Sequence, residues 1–227
     1  ISYSNEYSIK TLIDYNARLK NGLVAYYPFN GNSKDISSNK IDLIGTNVSY
    51  SYDRSNSLDQ TACVFNGKTS YLIGSSLSAI KSNLSFAIWV KNTRTTAGTW
   101  GCLITSQNST KQGFLLQDNE NQKYDFTFAN LNGSGYTDVW SVSSLKSNEW
   151  ELIICTYDGN TARIYKNGIL DTETNIGLKA LSSDANLMIG SRYFNEYFKG
   201  SLDDIGIWNR VLTIEEINYL SSNSLKF

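Results

Sequence analysis

Histidine is missing from all 227 residues. That excludes Ser-His-Asp and Cys-His activation of a nucleophile, and it removes the commonest ligand of zinc, copper and non-haem iron. Proline and methionine each occur once. Three cysteines, Cys63, Cys102 and Cys155, stand apart without a Cys-x-x-Cys pair, each inside an apolar run. They read as buried thiols acting as small hydrophobes, with a Cys102–Cys155 bridge open if their strands are neighbours. Charge is scarce as well, at 18% of residues, and 20 basic against 21 acidic side chains leave a net charge of −1. No global field therefore draws the chain towards nucleic acid or an anionic membrane. No apolar run approaches the ~20 residues that a membrane span needs, so no membrane insertion is expected.

What is present points to strands. Hydrophobic residues make up 41% and aromatics 13% of the chain, too many for disorder. Thirty serines and twenty-five asparagines are spread evenly between short runs rich in Val, Ile, Tyr, Phe and Trp. This texture predicts about fourteen strands: 22–29, 46–52, 62–66, 70–73, 84–92, 101–107, 113–117, 123–129, 136–142, 149–157, 161–166, 169–175, 186–190 and 200–208. An immunoglobulin-like sandwich has only about seven to nine.

Local signals sharpen this picture. Asn167-Gly168 predicts a type I′ turn and Asp158-Gly159-Asn160 a second tight turn, making 149–175 a three-stranded antiparallel meander. Its first strand is apolar on both faces, so cover on both sides is expected. Phe86, Ile164 and the tryptophans Trp89, Trp150 and Trp208 read as core. Leu212-Thr213-Ile214-Glu215-Glu216-Ile217 holds a capping box and a hydrophobic staple. A helix from about 213 to Leu220 follows, with Ile214, Ile217 and Leu220 facing inward. Residues 1–21 differ in texture. Ile9, Leu12, Ile13 and Leu19 suit a short amphipathic helix, read as a leader or linker before a domain at 22–227.

Three stretches resemble a known family: GLVAYYPFNGNSKDISSN (22–39); FNGKTSYLIG (65–74) with LSFAIWVK (84–91); and the 150–168 meander followed by LMIGSR (187–192) and FKGSLDDIGIWNRVLTIEEI (198–217). Together they are similar to laminin G-like, concanavalin A-like jelly-roll modules of secreted bacterial proteins, whose architecture pentraxins share. The resemblance implies an all-β, two-sheet antiparallel jelly-roll sandwich with a short C-terminal helix. It also implies carbohydrate or protein binding rather than catalysis, at the concave sheet or its edge loops, and an extracellular or cell-envelope location.

The resemblance further implies a structural calcium ion, held by the loop after the first strand and by the Asp-Asp before the last. The matching positions are Asn30, Asp35 and Asn39 with Asp203 and Asp204. The alternative is that these aspartates cap backbone amides. Glucanases of this architecture carry Glu-x-Asp on one strand, and no Glu-x-Asp occurs here. Glu149-Trp150-Glu151, the nearest match, reads as a solvated pair. Sugar binding needs flat rings beside hydrogen-bonding groups. Trp100, Tyr136, Arg192, Tyr193, Asn195, Glu196 and Tyr197 are the candidates, with Arg94, Asp138, Trp140 and Phe194 nearby. The expected function is a noncatalytic, lectin-like carbohydrate-binding module of a secreted or cell-surface protein. The alternative is a protein-binding or adhesive module without a sugar site, so the partner is a glycan or a surface protein.

Overall fold

A computed structural model describes residues 14–55, 61–94, 99–107, 112–119, 121–131, 135–181 and 184–223. The expected helical positions Ile9, Leu12 and Ile13 lie outside them. The described elements begin with α1 (Tyr15–Lys20), β1 (Leu23–Tyr27), β2 (Ile44–Thr46), β3 (Ser49–Tyr52), β4 (Thr61–Asn66) and β5 (Tyr71–Ser76). Next come β6 (Leu84–Asn92), β7 (Gly101–Gln107), β8 (Gly113–Asp118), β9 (Tyr124–Ala129) and β10 (Tyr136–Trp140). The chain continues through β11 (Trp150–Tyr157), β12 (Thr161–Lys166), β13 (Ile169–Asn175), β14 (Asn186–Ile189), β15 (Lys199–Trp208) and α2 (Ile214–Ser222).

Two antiparallel sheets face each other. One runs β13-β12-β11-β6-β15-β4-β3, with β1 also paired to β15; the other runs β10-β9-β8-β7-β14-β5-β2. Phe86 of the first sheet stacks on Phe114 of the second at 5.9 Å and meets Phe126 edge-on at 5.3 Å. Ile88, Ile153 and Ile164 fill the same layer against Leu103, Ile104 and Leu116. The expected strand 46–52 is two strands instead. The chain turns at Asn47, whose φ is +52°, and passes from one sheet to the other between β2 and β3.

The meander forms as its turns require. Asn167 and Gly168 both have positive φ, at 50° and 85°, and Lys166 pairs with Ile169 across them. A Cβ at Gly168 would also sit 2.9 Å from the Ser221 hydroxyl. Gly168→Val is therefore expected to lower stability by about 1–2 kcal/mol, read as a lower urea midpoint. An unchanged midpoint would contradict the turn assignment.

The outer face of the first sheet is covered too, which explains the doubly apolar β11. Leu19 of α1 and Ile217 and Leu220 of α2 pack on Tyr26, Ala87, Leu152, Ile154 and Trp208. Trp208 donates its indole N–H to the Leu19 carbonyl at 2.7 Å, and Tyr15 stacks on Tyr219 at 4.9 Å. The capping box at Thr213 and Glu216 is present in both directions. Ile214 points outward, contrary to expectation, because Ile217, Leu220 and Glu216 occupy the inner stripe; Glu216 is held there by Arg210 at 2.7 Å.

Other corrections concern the core. Trp208 is buried, but Trp89 and Trp150 are only half-buried, and Trp89 lies under the Arg54 guanidinium at 4.6 Å. All three cysteines are buried free thiols, and Cys102 and Cys155 belong to opposite sheets, so they are not bridged. Glu151 is not solvated. It is buried against Lys166 at 3.1 Å and accepts from the Lys146 amide, while Glu149 stays outside. No helix among the described residues is long and apolar enough to cross a membrane.

Candidate functional site

The residues proposed for sugar contact gather at one end of the central strands of the second sheet, where the β14–β15 loop meets the segment leading into β7. Backbone pairing fixes this junction: the Cys102 amide donates to the Glu196 carbonyl at 2.8 Å, and Cys102 bridges Tyr197. A cleft of about 470 Å³ opens there. It is lined by Trp100, Asn195, Glu196 and Tyr197, together with Gly67, Arg94, Thr99 and Lys199. The pairing at Cys102 ties the start of β7 to residues 196 and 197, so the two walls of the cleft are held together where they meet.

Arg94 is its internal clamp. The guanidinium donates to the Thr99 hydroxyl at 2.8 Å and to the Tyr197 carbonyl at 3.1 Å, and its Nη2 lies 3.3 Å from Asp118. Asp118 also accepts from Asn92 at 2.5 Å. Gly101 makes this approach possible, since a Cβ there would fall 1.9 Å from Arg94 Nη2 and 2.6 Å from Asp118 Oδ1. Burial pushes the Asp118 carboxyl up to about 6 against the pull of Arg94 and Asn92.

Tyr136, Arg192 and Tyr193 form an adjoining shelf outside the cleft. Arg192 donates to the Tyr136 hydroxyl at 2.8 Å and lies 5.1 Å and 5.3 Å from the centres of the Tyr136 and Tyr193 rings. It pairs with Glu196 at 3.4 Å, linking shelf to cleft. The turn at 192–195 is unusual. Arg192 and Asn195 exchange backbone hydrogen bonds, so Tyr193 and Phe194 are its central residues, with φ of 52° and 57°. A turn that favours Asn-Gly is here built from two aromatics, a strained choice. It leaves Tyr193 and Phe194 about half exposed at the tip, Phe194 leaning edge-on against Tyr71.

Below the shelf, Asp125 is buried on β9, accepting from Gln117 at 3.0 Å. Burial, with Asp138 adding to it, pushes its carboxyl up to about 7 against the Gln117 hydrogen bond. Sequence reasoning missed Gly67, Thr99 and Lys199. Each is an ordinary surface residue in its own segment, and only the sheet pairing brings the three together.

The proposed calcium ligands do not converge in this way. Asp35 is buried and accepts from the amides of Tyr26, Ser37 and Ile41 and from the Ser37 hydroxyl, all at 2.8–2.9 Å. The Asn39 carboxamide donates to the Leu23 and Val24 carbonyls, and the Asn30 carbonyl accepts from Asn32. Asp203 and Asp204 are bound at 2.5 Å each by the two terminal nitrogens of Arg54, and Tyr26 donates its hydroxyl to Asp204. A guanidinium already supplies their positive charge, and Asp35 has its oxygens taken by capping. As arranged, these residues do not fit a calcium ion. Among the described residues no cluster of three or more Cys, Asp or Glu side chains is poised for a metal. The melting temperature is expected to be the same in chelator and in millimolar calcium. A rise that Asp203→Asn removes would show calcium displacing Arg54.

The family profile of the concanavalin A-like lectin/glucanases superfamily matches residues 65–218. The chain belongs to that superfamily. Its fold is shared by solved structures at low identity. The binding domain of Paraclostridial Mosquitocidal Protein 1 superposes with a TM-score of 0.74 at 19% identity, over 89% of this chain and 52% of that one. Domain 4 of AbnA, a GH43 extracellular arabinanase from Geobacillus stearothermophilus solved with arabinotriose, gives 0.71 at 17%, over 88% and 98%. The receptor binding domain of botulinum neurotoxin C/D mosaic serotype gives 0.73 at 17%, over 89% and 51%. This superfamily member thus spans about half the length of the toxin domains and nearly all of the arabinanase domain. No curated protein matches it in sequence.

Proposed function

We propose that this chain is a noncatalytic carbohydrate-binding module of a secreted or cell-surface protein. The observation that carries the reading is the cleft, where Trp100 and Tyr197 stand beside Asn195, Glu196 and Arg94. Rings offer C–H stacking faces, and amide, carboxylate and guanidinium groups offer hydrogen bonds, which is what a sugar requires. The superposition on an arabinanase domain solved with arabinotriose supports it. We assign no catalytic step to the cleft. A broad glycan array, with and without calcium, is expected to return a glycan ligand, and Trp100→Ala is expected to weaken it about tenfold, roughly 1.4 kcal/mol, with the fold intact. An unchanged affinity would place the site elsewhere.

A second reading, a protein-binding module, draws on one observation. Tyr193 and Phe194 stand half exposed at the tip of a strained turn, the form of an aromatic anchor for a partner's pocket. The receptor binding domains among the structural neighbours support it. If no glycan binds and Phe194→Ala abolishes capture of a surface protein, this reading replaces the first.

A further inference from the structure

The charges in the cleft are unequal. Glu196 faces Arg192, and Asp118 lies behind the wall against Arg94, so both carboxylates near the cleft are already paired. Lys199 is different. It opens β15 at the cleft rim, with its stem packed over Gly67, where a Cβ would sit 2.7 Å from the Lys199 Cβ. Its backbone is fixed by pairing with Asn66 and by the Thr93 amide, which donates to the Lys199 carbonyl at 3.1 Å. Among the described residues its ammonium has no carboxylate partner, and it is exposed to the cleft's solvent. Arg94 and Arg192 are offset by Asp118 and Glu196, so the Lys199 ammonium is the unbalanced charge at the cleft.

We infer that the cleft takes a glycan bearing a carboxylate, with Lys199 as the residue that selects the acidic sugar over its neutral counterpart. This rests on the carbohydrate-binding reading and adds the ligand's class. The rings and amides hold a sugar of either kind, whereas the ammonium at the rim rewards only the charged one. A fixed stem limits the freedom that Lys199 loses on pairing, and the partly enclosed cleft strengthens the attraction relative to open solvent. The same carboxylate chemistry occurs in uronic acids and in sialic acids.

The test is calorimetric titration of the folded protein with four probes: tri-galacturonate against galactotriose, and sialyllactose against lactose. One acidic probe or both should bind at least fivefold more tightly than the neutral partner, with the preference falling as salt rises from 0.05 to 0.5 M. Lys199→Gln should abolish the preference, bringing the acidic probe down to the affinity of its neutral partner, and Lys199→Arg should retain it. A preference confined to one acid supports the inference and identifies the source of the carboxylate. Equal affinities, or a preference that survives Lys199→Gln, would overturn it while leaving the carbohydrate-binding reading intact. Binding of none of the four, nor of any array glycan, would overturn both.

Discussion

Gly101→Val is expected to destabilise the protein by about 3–5 kcal/mol and to remove cleft binding altogether. The new Cβ would fall 1.9 Å from Arg94 Nη2, so the guanidinium must leave its place between Thr99, Tyr197 and Asp118. Removing one partner of a buried ion pair leaves the other charge uncompensated, and that is the source of the magnitude. Asp118 is buried and can relieve the loss by taking a proton, so the damage should be smaller at pH 5 than at pH 8. Arg94→Met should show the same dependence, and Arg94→Met with Asp118→Leu should recover much of the stability. Equal losses at both pH values would mean that the charge is not the cause.

The second large effect is on stability itself. Asp118 and Asp125 have carboxyls pushed up by burial to about 6 and about 7, whereas both would sit near 3.9 in the unfolded chain. A carboxyl whose folded value is raised contributes stability that is fully present below the unfolded value and is lost as pH rises through the folded one. At about 1.4 kcal/mol per unit, Asp125 accounts for roughly 4 kcal/mol and Asp118 for roughly 3 between pH 4 and 8. Asp203 moves in the same direction, raised by burial and by Asp204 against the pull of Arg54. Opposing groups act lower on the scale. Hydrogen bonds from Arg163 and Ser143 hold Asp158 and Asp171 below the usual carboxylate range, so their contribution disappears only in stronger acid. With no histidine to titrate in between, the melting temperature should rise by on the order of 10 °C from pH 8 to pH 5. Asp125→Asn should flatten that slope. A melting temperature constant or falling over that interval would contradict the burial of ionised carboxylates.

The parts of the fold legible from sequence are those specified locally. Alternating apolar runs locate the strands, Asn167-Gly168 fixes its turn by backbone conformation, and Thr213 with Glu216 caps α2 within four residues. The sandwich follows because so many strands with apolar faces must bury them together. What was not legible depends on distant partners. Arg54 claims Asp203 from 149 positions away, so carboxylates that suit a cation when read alone meet a guanidinium in the fold. Ile214 lies outward because the inner stripe of α2 is decided by α1 and the sheet beneath. The corner at Asn47 carries no turn dipeptide. Of the candidate cleft, Trp100, Asn195, Glu196 and Tyr197 were named from loop chemistry and share its lining, while Lys199 and Gly67 join them through strand pairing that no local signal marks.

The most direct measurement is amide chemical-shift mapping of the ¹⁵N-labelled protein during titration with the tightest glycan from the array. Binding in the cleft should move the amides of Gly67, Arg94, Trp100, Asn195, Glu196, Tyr197 and Lys199, with smaller changes at Arg192 and Tyr136. Shifts confined to the pocket beside α1, lined by Lys20, Leu23, Ile36, Ser37 and Ser38, or no shifts with any glycan, would contradict a sugar site in the cleft.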